Sequence, residues 1–305
     1  MIDEYVIKLI DNLPDNIKNT KNPLQLDLVL DGGIFNGSYL VGALYFLKEM
    51  ERRNYIKIDR ISGCSIGSIV AFLYYIDGLD LMPKLYDIVN KDFRQTYKLL
   101  LVKDLKKHLS ERIPNNICKK INNKLFITYN NIKKWTKPVK SSYKNIDEII
   151  NTIIKSCYIP FLIDGNILYE NKCIDGINPF IFTKEPNKKI LYLDLFGYDK
   201  IGNLINVKNE KSNFHRILSG LLDIHSFFIK QSNTPMCSYV NDWSFTNIGF
   251  NYFKFLIEKV CIYLTYFLIL IKDKVNDDLK DTVFYKILSK ITYDVFIIIL
   301  ENYCL

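Results

Sequence analysis

KIDRISGCSIGSIVAFLYYI, residues 57–76, holds the information that decides the fold. Its first six residues read as a strand, GCSIG as a turn, and SIVAFLYYI (68–76) as a helix apolar on nearly every side, which implies a central, buried position. Immediately upstream the same order occurs. LDLVL (26–30) is a short, mostly apolar strand, DGGIFNG (31–37) a glycine-bearing turn, and SYLVGALYFLKEMERR (38–53) a helix with Leu40, Ala43, Leu44 and Leu47 at i, i+3, i+4 and i+7. The helix's charges gather at its C-terminal end, where cations suit the dipole. Two strand–turn–helix units in tandem predict an α/β fold with parallel strands.

Working outward, residues 100–144 carry twelve Lys or Arg against Asp104 and Glu111. NIDEIINTIIKSCYIP (145–160) then predicts a helix stopped by Pro160, NKCIDGINP (171–179) a glycine- and proline-marked turn, and KKILYLDLFGY (188–198) a further strand, where the sheet is expected to end. Beyond residue 200 the pattern turns helical, with candidates at 214–230, 252–272 and 283–300, all rich in Tyr, Phe and Ile. The expected organisation is a core over residues 24–200 and a helical C-terminal extension over 201–305, whose apolar helices pack on the core as a cover rather than lying at an interface.

Length and composition agree with a folded chain. At ~150 residues per domain, 305 residues make one large or two modest domains. With 49% hydrophobic and 24% charged residues and only 13 Gly, disordered and collagen-like classes are excluded. The net charge of +8 favours anionic partners without choosing between lipid and nucleic acid. Seven scattered cysteines with no C-x-x-C pair read as reduced thiols and argue against a zinc site. The first sixteen residues mix both charge signs, and Lys8 interrupts their apolar stretch, so no secretory signal is expected. The longest apolar run, Val260 to Ile271, is twelve residues, short of the ~20 that span a bilayer. The expected location is intracellular, cytoplasmic or peripheral to a membrane, without a transmembrane helix.

The turn GCSIG matches G-x-S-x-G, in which Gly63 and Gly67 let a strand bend so sharply into a helix that the serine hydroxyl is exposed at the helix start. Ser65 is therefore the candidate nucleophile. DGGIFNG offers consecutive backbone N–H groups at another helix start, a concavity suited to a developing oxyanion. Its glycines, Gly32, Gly33 and Gly37, fit neither G-x-G-x-x-G nor the P-loop, which argues against nucleotide binding. A hydrolase triad in the order Ser65, Asp175, then His215 or His225 is a rival, but that fold places its nucleophile after its third strand, and two strands precede Ser65 here.

These two loops, followed in order by SCYIPF (156–161) and the DG turn of IDGINP (174–179), resemble the patatin-like phospholipase family over residues 24 to about 200. The resemblance implies a three-layer α/β/α fold with a mainly parallel central sheet and lipid acyl hydrolysis of the phospholipase A type. It also implies a Ser–Asp dyad, with Ser65 as nucleophile and Asp175 as general base, and the backbone of Gly32, Gly33 and Ile34 as the oxyanion hole. No metal or organic cofactor is implied, and the implied partner is a phospholipid or other acyl lipid. Three residues depart from the family's pattern: Ile34 stands at the usual third glycine of the loop, Asn36 at a usual Arg or Lys, and Ile177 where Gly or Ala follows. A β-branched residue resists positive φ. The alternative reading is thus a catalytically degenerate lipid- or membrane-binding member. The basic strip suits peripheral contact with an anionic membrane. Nucleic acid is disfavoured, because no RNA or DNA module accompanies the charge.

Overall fold

The computed structural model describes residues 2–19, 22–197, 199–208, 210–274 and 282–304. After helices α1 (Ile2–Asp11) and α2 (Asp15–Lys18), β1 (Leu24–Leu30) enters as the apolar run LQLDLVL and becomes a central strand. Helix α3 (Gly37–Arg52) follows, then β2 (Ile56–Cys64) and α4 (Ile66–Tyr75), so both strand–turn–helix units form where the sequence places them. Helices α5 (Met82–Thr96), α6 (Leu101–Leu109) and α7 (Ile117–Ile121) lead to short strands β3 (Leu125–Thr128), β4 (Asn130–Asn131) and β5 (Val139–Lys140). Helix α8 (Ile146–Ser156), β6 (Cys173–Ile174), β7 (Lys188–Leu193), α9 (Phe214–Lys230) and β8 (Cys237–Tyr239) come next, followed by two long helices, α10 (Phe245–Lys274) and α11 (Val283–Tyr303).

The main sheet has the order β5-β3-β2-β1-β7-β8, parallel through β3, β2, β1 and β7 with antiparallel strands at both edges. A separate β4–β6 ribbon is antiparallel. The chain therefore has the expected α/β architecture with a mainly parallel sheet. Side chains alternate across it: Leu28, Leu30, Leu191 and Leu193 join the large core with α3, α4 and α9, while Val29, Ile190 and Tyr192 meet Phe182 and Val240 on the opposite face. Helices α3 and α9 cross with their backbones almost touching. A Cβ on Gly42 would stand 1.9 Å from the Ile217 carbonyl oxygen, and one on Gly220 1.9 Å from that of Tyr39.

Two expectations are corrected. The sheet does not end near residue 198: β8 pairs with β7 through Leu193↔Cys237, and Tyr198, the last residue of the expected strand, lies outside the described residues. Three residues, Cys-Ser-Tyr, are too short to show a period. The basic strip also contributes to the core. Its buried Leu101, Val102, Leu105 and Leu109 seat α6, and several of its cations are paired, as in Arg112–Asp80 at 2.7 Å and Lys137–Glu258 at 2.7 Å.

The second correction concerns α10 and α11, which are not apolar covers. Helix α10 meets the protein along a stripe that buries Lys254, Glu258, Ile262 and Thr265, while Phe253, Leu256, Val260, Leu264 and Phe267 are exposed. Its amphipathicity is inverted relative to an ordinary surface helix. Helix α11 likewise exposes Phe284, Ile287 and Ile291. No described helix is long and apolar enough to cross a membrane.

Candidate active site

At the C-terminal end of β2 the chain turns into α4 through Ser65, whose φ of 49° and ψ of −132° lie in a sparsely populated region. The turn closes only because Gly67 packs on β1: a Cβ there would sit 2.5 Å from the Asp31 carbonyl oxygen. Ser65 is held from both sides. Its amide donates to Ser156 Oγ at 2.9 Å, Ser156 in turn donates to the Thr128 carbonyl at 2.6 Å, and Ser68 Oγ donates to the Ser65 carbonyl at 2.7 Å.

Asp175 follows the two-residue strand β6, and its loop is tied to α8 and the turn beyond it: its amide donates to the Tyr158 carbonyl at 2.8 Å, and the Gly176 amide to that of Ser156 at 3.1 Å. Ser156 thus touches both loops, which brings the two sequence-predicted residues together. The Ile177 amide donates to Asp175 Oδ1 at 2.7 Å, whereas the buried Oδ2 has no hydrogen-bond partner among the described residues. Burial pushes the Asp175 carboxyl up to about 6, against the pull of the Ser65 hydroxyl and the Ile177 amide. Ser65 therefore lies near enough to favour the carboxylate, yet short of a formed hydrogen bond, as is common before substrate binds.

In the glycine-rich loop, the Gly32 amide donates to Asp31 Oδ1 at 3.0 Å and is not free for a ligand. The Gly33 and Ile34 amides donate to no acceptor among the described residues. Ile34 adopts φ 43° and Ile177 φ 54°, so both isoleucines that depart from the family's pattern take the left-handed backbone that favours glycine. Asn36, the third departure, is fully buried. It accepts from Arg216 Nη1 at 2.6 Å and donates to the Lys200 carbonyl at 3.0 Å, so a guanidinium from α9 anchors the loop at this point.

Between the glycine-rich loop and helices α4, α5 and α6 lies a cleft of about 640 Å³ including its open mouth. Ser65 stands in its wall with Ile34, Phe35, Met82, Val102 and Ile159, and the lining is otherwise apolar. The histidines are elsewhere. His215 is exposed beside Glu210 at 3.1 Å, and His225 packs on Phe46 and the backbone of Leu9. Among the described residues no cluster of His, Cys, Asp or Glu could hold a metal ion.

Two site neighbours came from outside the recognised motifs. Lys254 of α10 is buried with its Nζ on Asp31 Oδ2 and 2.8 Å from the Tyr192 hydroxyl, and Glu258, one turn on, accepts from Asn130, Asn178 and Lys137. Their sequence signal is a Lys and a Glu four apart inside a long Phe-, Tyr- and Ile-rich helical stretch, where an intrahelical pair is the simpler reading.

The carboxyl edge of this α/β sheet thus gathers a strained serine, a buried carboxylate and a glycine-rich loop beside an apolar cleft, the groups that acyl-transfer chemistry at a serine requires. The patatin-like phospholipase profile matches residues 28–179, and the chain belongs to that family. It is similar to mouse (Mus musculus) 1-acylglycerol-3-phosphate O-acyltransferase Pnpla3, at 26% identity over 133 residues, covering 41% of this chain and 32% of that protein. The chain thus matches about a third of the length of this curated relative. Among solved structures it is similar to VipD from Legionella pneumophila, at 11% identity and a TM-score of 0.32, over 56% of this chain and 49% of that one.

Proposed function

We propose that this protein hydrolyses acyl esters of glycerophospholipids or related lipids through a Ser65–Asp175 dyad, with residues 24–200 as catalytic core and 201–305 as an extension that completes the site. One observation carries the reading: an apolar cleft ends at a serine whose hydroxyl pulls on a buried carboxylate, one oxygen of which has no hydrogen-bond partner among the described residues. Ser65 Oγ attacks the ester carbonyl carbon as its proton passes to Asp175 Oδ2, and the Gly33 and Ile34 amides receive the oxyanion. The C–O bond to the alcohol breaks, and the leaving oxygen takes the proton from Asp175. Water then attacks the acyl-enzyme, giving its proton to Asp175, and the fatty acid leaves as Ser65 regains a proton.

A carboxyl near pKa 4 is a feeble base, and burial moves Asp175 toward the working range. The positive φ of Ile34 and Ile177 supports catalysis over a degenerate lipid-binding role, because the loops keep the backbone shape that glycine would take. The substrate is met at a lipid surface, peripherally. The inverted amphipathicity of α10 supplies apolar contact, and exposed cations of the 100–144 strip, such as Lys133 and Lys134, supply attraction to anionic headgroups. Fluorophosphonate labelling of Ser65, followed by assay of fatty-acid release from vesicles, tests the reading. Labelling and release that both vanish in Ser65→Ala support it, and release that persists overturns it. Acyl appearing on an added glycerolipid acceptor in place of free fatty acid would redirect it to acyl transfer.

A further inference from the structure

We propose that Lys254 and Glu258 are positioning residues for this reaction, one fixing the oxyanion loop and the other the loop of the general base. The proposal rests on the Ser65–Asp175 reading. The two residues stand four apart on α10 and face the same way, across the catalytic edge of the sheet. Lys254 Nζ binds Asp31 Oδ2. The other oxygen of Asp31 holds the Gly32 amide, and Oδ2 also accepts from the Leu195 amide at 3.3 Å, so the ammonium anchors the turn that presents Gly33 and Ile34. Burial works against the charge on Lys254, but Asp31, Tyr192 and Asp194 together hold its ammonium well above the usual value.

Glu258 acts through two asparagines. The Asn130 amide divides its hydrogens between the Asp175 carbonyl at 2.9 Å and Glu258 Oε1 at 3.0 Å. The Asn178 amide divides its own between the Lys254 carbonyl at 3.1 Å and Glu258 Oε2 at 2.8 Å. One buried carboxylate thereby fixes the backbone at Asp175 itself and three residues beyond it. Stability alone does not explain this arrangement. Burying an ion pair gains little over well-packed apolar residues, and α10 is rich in apolar residues that it leaves exposed. What the charges add is fixed position at two loops that must stay in register with Ser65.

The charged groups facing Asp175 are Glu258 and Lys137; the neighbouring thiols of Cys64, Cys157 and Cys261 are pushed up and neutral. Removing the Glu258 charge therefore lowers the pKa of Asp175. The test uses the full chain and a soluble short-chain ester, so that lipid docking plays no part. Glu258→Gln is expected to lower kcat by ~10–100-fold with KM within ~3-fold and to move the acid limb of kcat/KM to lower pH, whereas Glu258→Asp leaves the limb in place. Lys254→Met lowers kcat by a similar factor. If it does not fold, Asp31→Asn/Lys254→Met, which leaves neither buried charge, carries the same expectation. Lys259→Met, on the exposed face of the same helix, retains wild-type kinetics.

Folded Glu258→Gln with wild-type kcat and an unmoved limb overturns the proposal. Failure of the underlying reading shows separately, as full activity in Ser65→Ala. Titration of the Asp175 carboxyl by 13C NMR needs no turnover and reports in either case whether Glu258 acts on it: an unchanged midpoint in Glu258→Gln counts against the proposal.

Discussion

Asp27 and Asp31 lie four residues apart, one within β1 and one just past its end, both fully buried and both paired with a cation. At Asp27 the partner is Arg60, Nε to Oδ1 at 3.0 Å, brought opposite by a register shift between β1 and β2. That pair runs outward, through Glu185 at 2.6 Å from Arg60 and through Lys188 to Asp59 at 2.7 Å. At Asp31 the cation is Lys254, and the pair runs inward, to the amide turn beside Ser65. Similar ionic chemistry thus staples strands in one place and shapes a site in the other. What differs is whether the fixed backbone is inert or faces a reacting atom.

The comparison depends first on catalysis occurring at the Asp31 end. Ser65→Ala should reduce ester hydrolysis by ~10³-fold or more with an unchanged circular dichroism spectrum, because one small polar group is lost at a turn. Asp175→Asn should be as damaging to turnover, while single replacements of His108, His215 and His225 keep most activity; a ~10³-fold loss from His215→Ala or His225→Ala would restore the triad.

Asp175→Asn should also melt no lower than the wild type. The folded carboxyl titrates near 6 against 3.8 for the free group, so folding favours its protonated form. Its contribution to stability is therefore full below about pH 4 and lost as pH rises through 6, and the ionised base costs on the order of 3 kcal/mol at neutral pH. The matching kinetic expectation is a kcat/KM that falls on the acid side with a midpoint near pH 6.

The sharpest contrast is between the two cations. Arg60→Met should cost about 3 kcal/mol in chemical denaturation, since Asp27 loses its closest partner, with kcat per folded molecule unchanged. A kinetic defect in Arg60→Met equal to that of Lys254→Met would erase the distinction. The smallest effect is expected at Ile177. Glycine there removes ~1–2 kcal/mol of left-handed strain and adds ~0.5–1 kcal/mol of chain entropy cost, so Ile177→Gly should gain up to ~1.5 kcal/mol in a melting experiment.

The proposed nucleophile was legible in the sequence because sharp turns need glycine, and Gly63 and Gly67 mark the loop that carries Ser65; Asp175, one aspartate before a glycine among several such turns, was reached only through the family resemblance. Helix α3 was legible from its apolar period and α4 from its unbroken apolar run, and α9 forms over the expected residues. Strands β3 to β5 were hidden because they are two to four residues long in a lysine-rich stretch. Lys254, Glu258 and Arg216 were hidden for another reason. Each meets partners distant in sequence, 223 residues away for Lys254 and Asp31, and nothing local distinguishes such a residue from a solvated charge. The inverted face of α10 was unreadable for the same cause, since periodicity locates an apolar stripe without saying which side meets the protein.

The reach of α10 back across the site also orders events during synthesis. The proposed nucleophile, oxyanion loop and base have all been translated by Asn178, but Glu258 lies 80 residues further on. At 5–20 residues per second, that interval lasts roughly 4 to 16 s. Through it the growing chain carries its nucleophile and base without the two ionic anchors that hold their loops. On the proposed reading, the loops of Ser65 and Asp175 are therefore made well before the helix that fixes them, and the site is completed late in the order of synthesis.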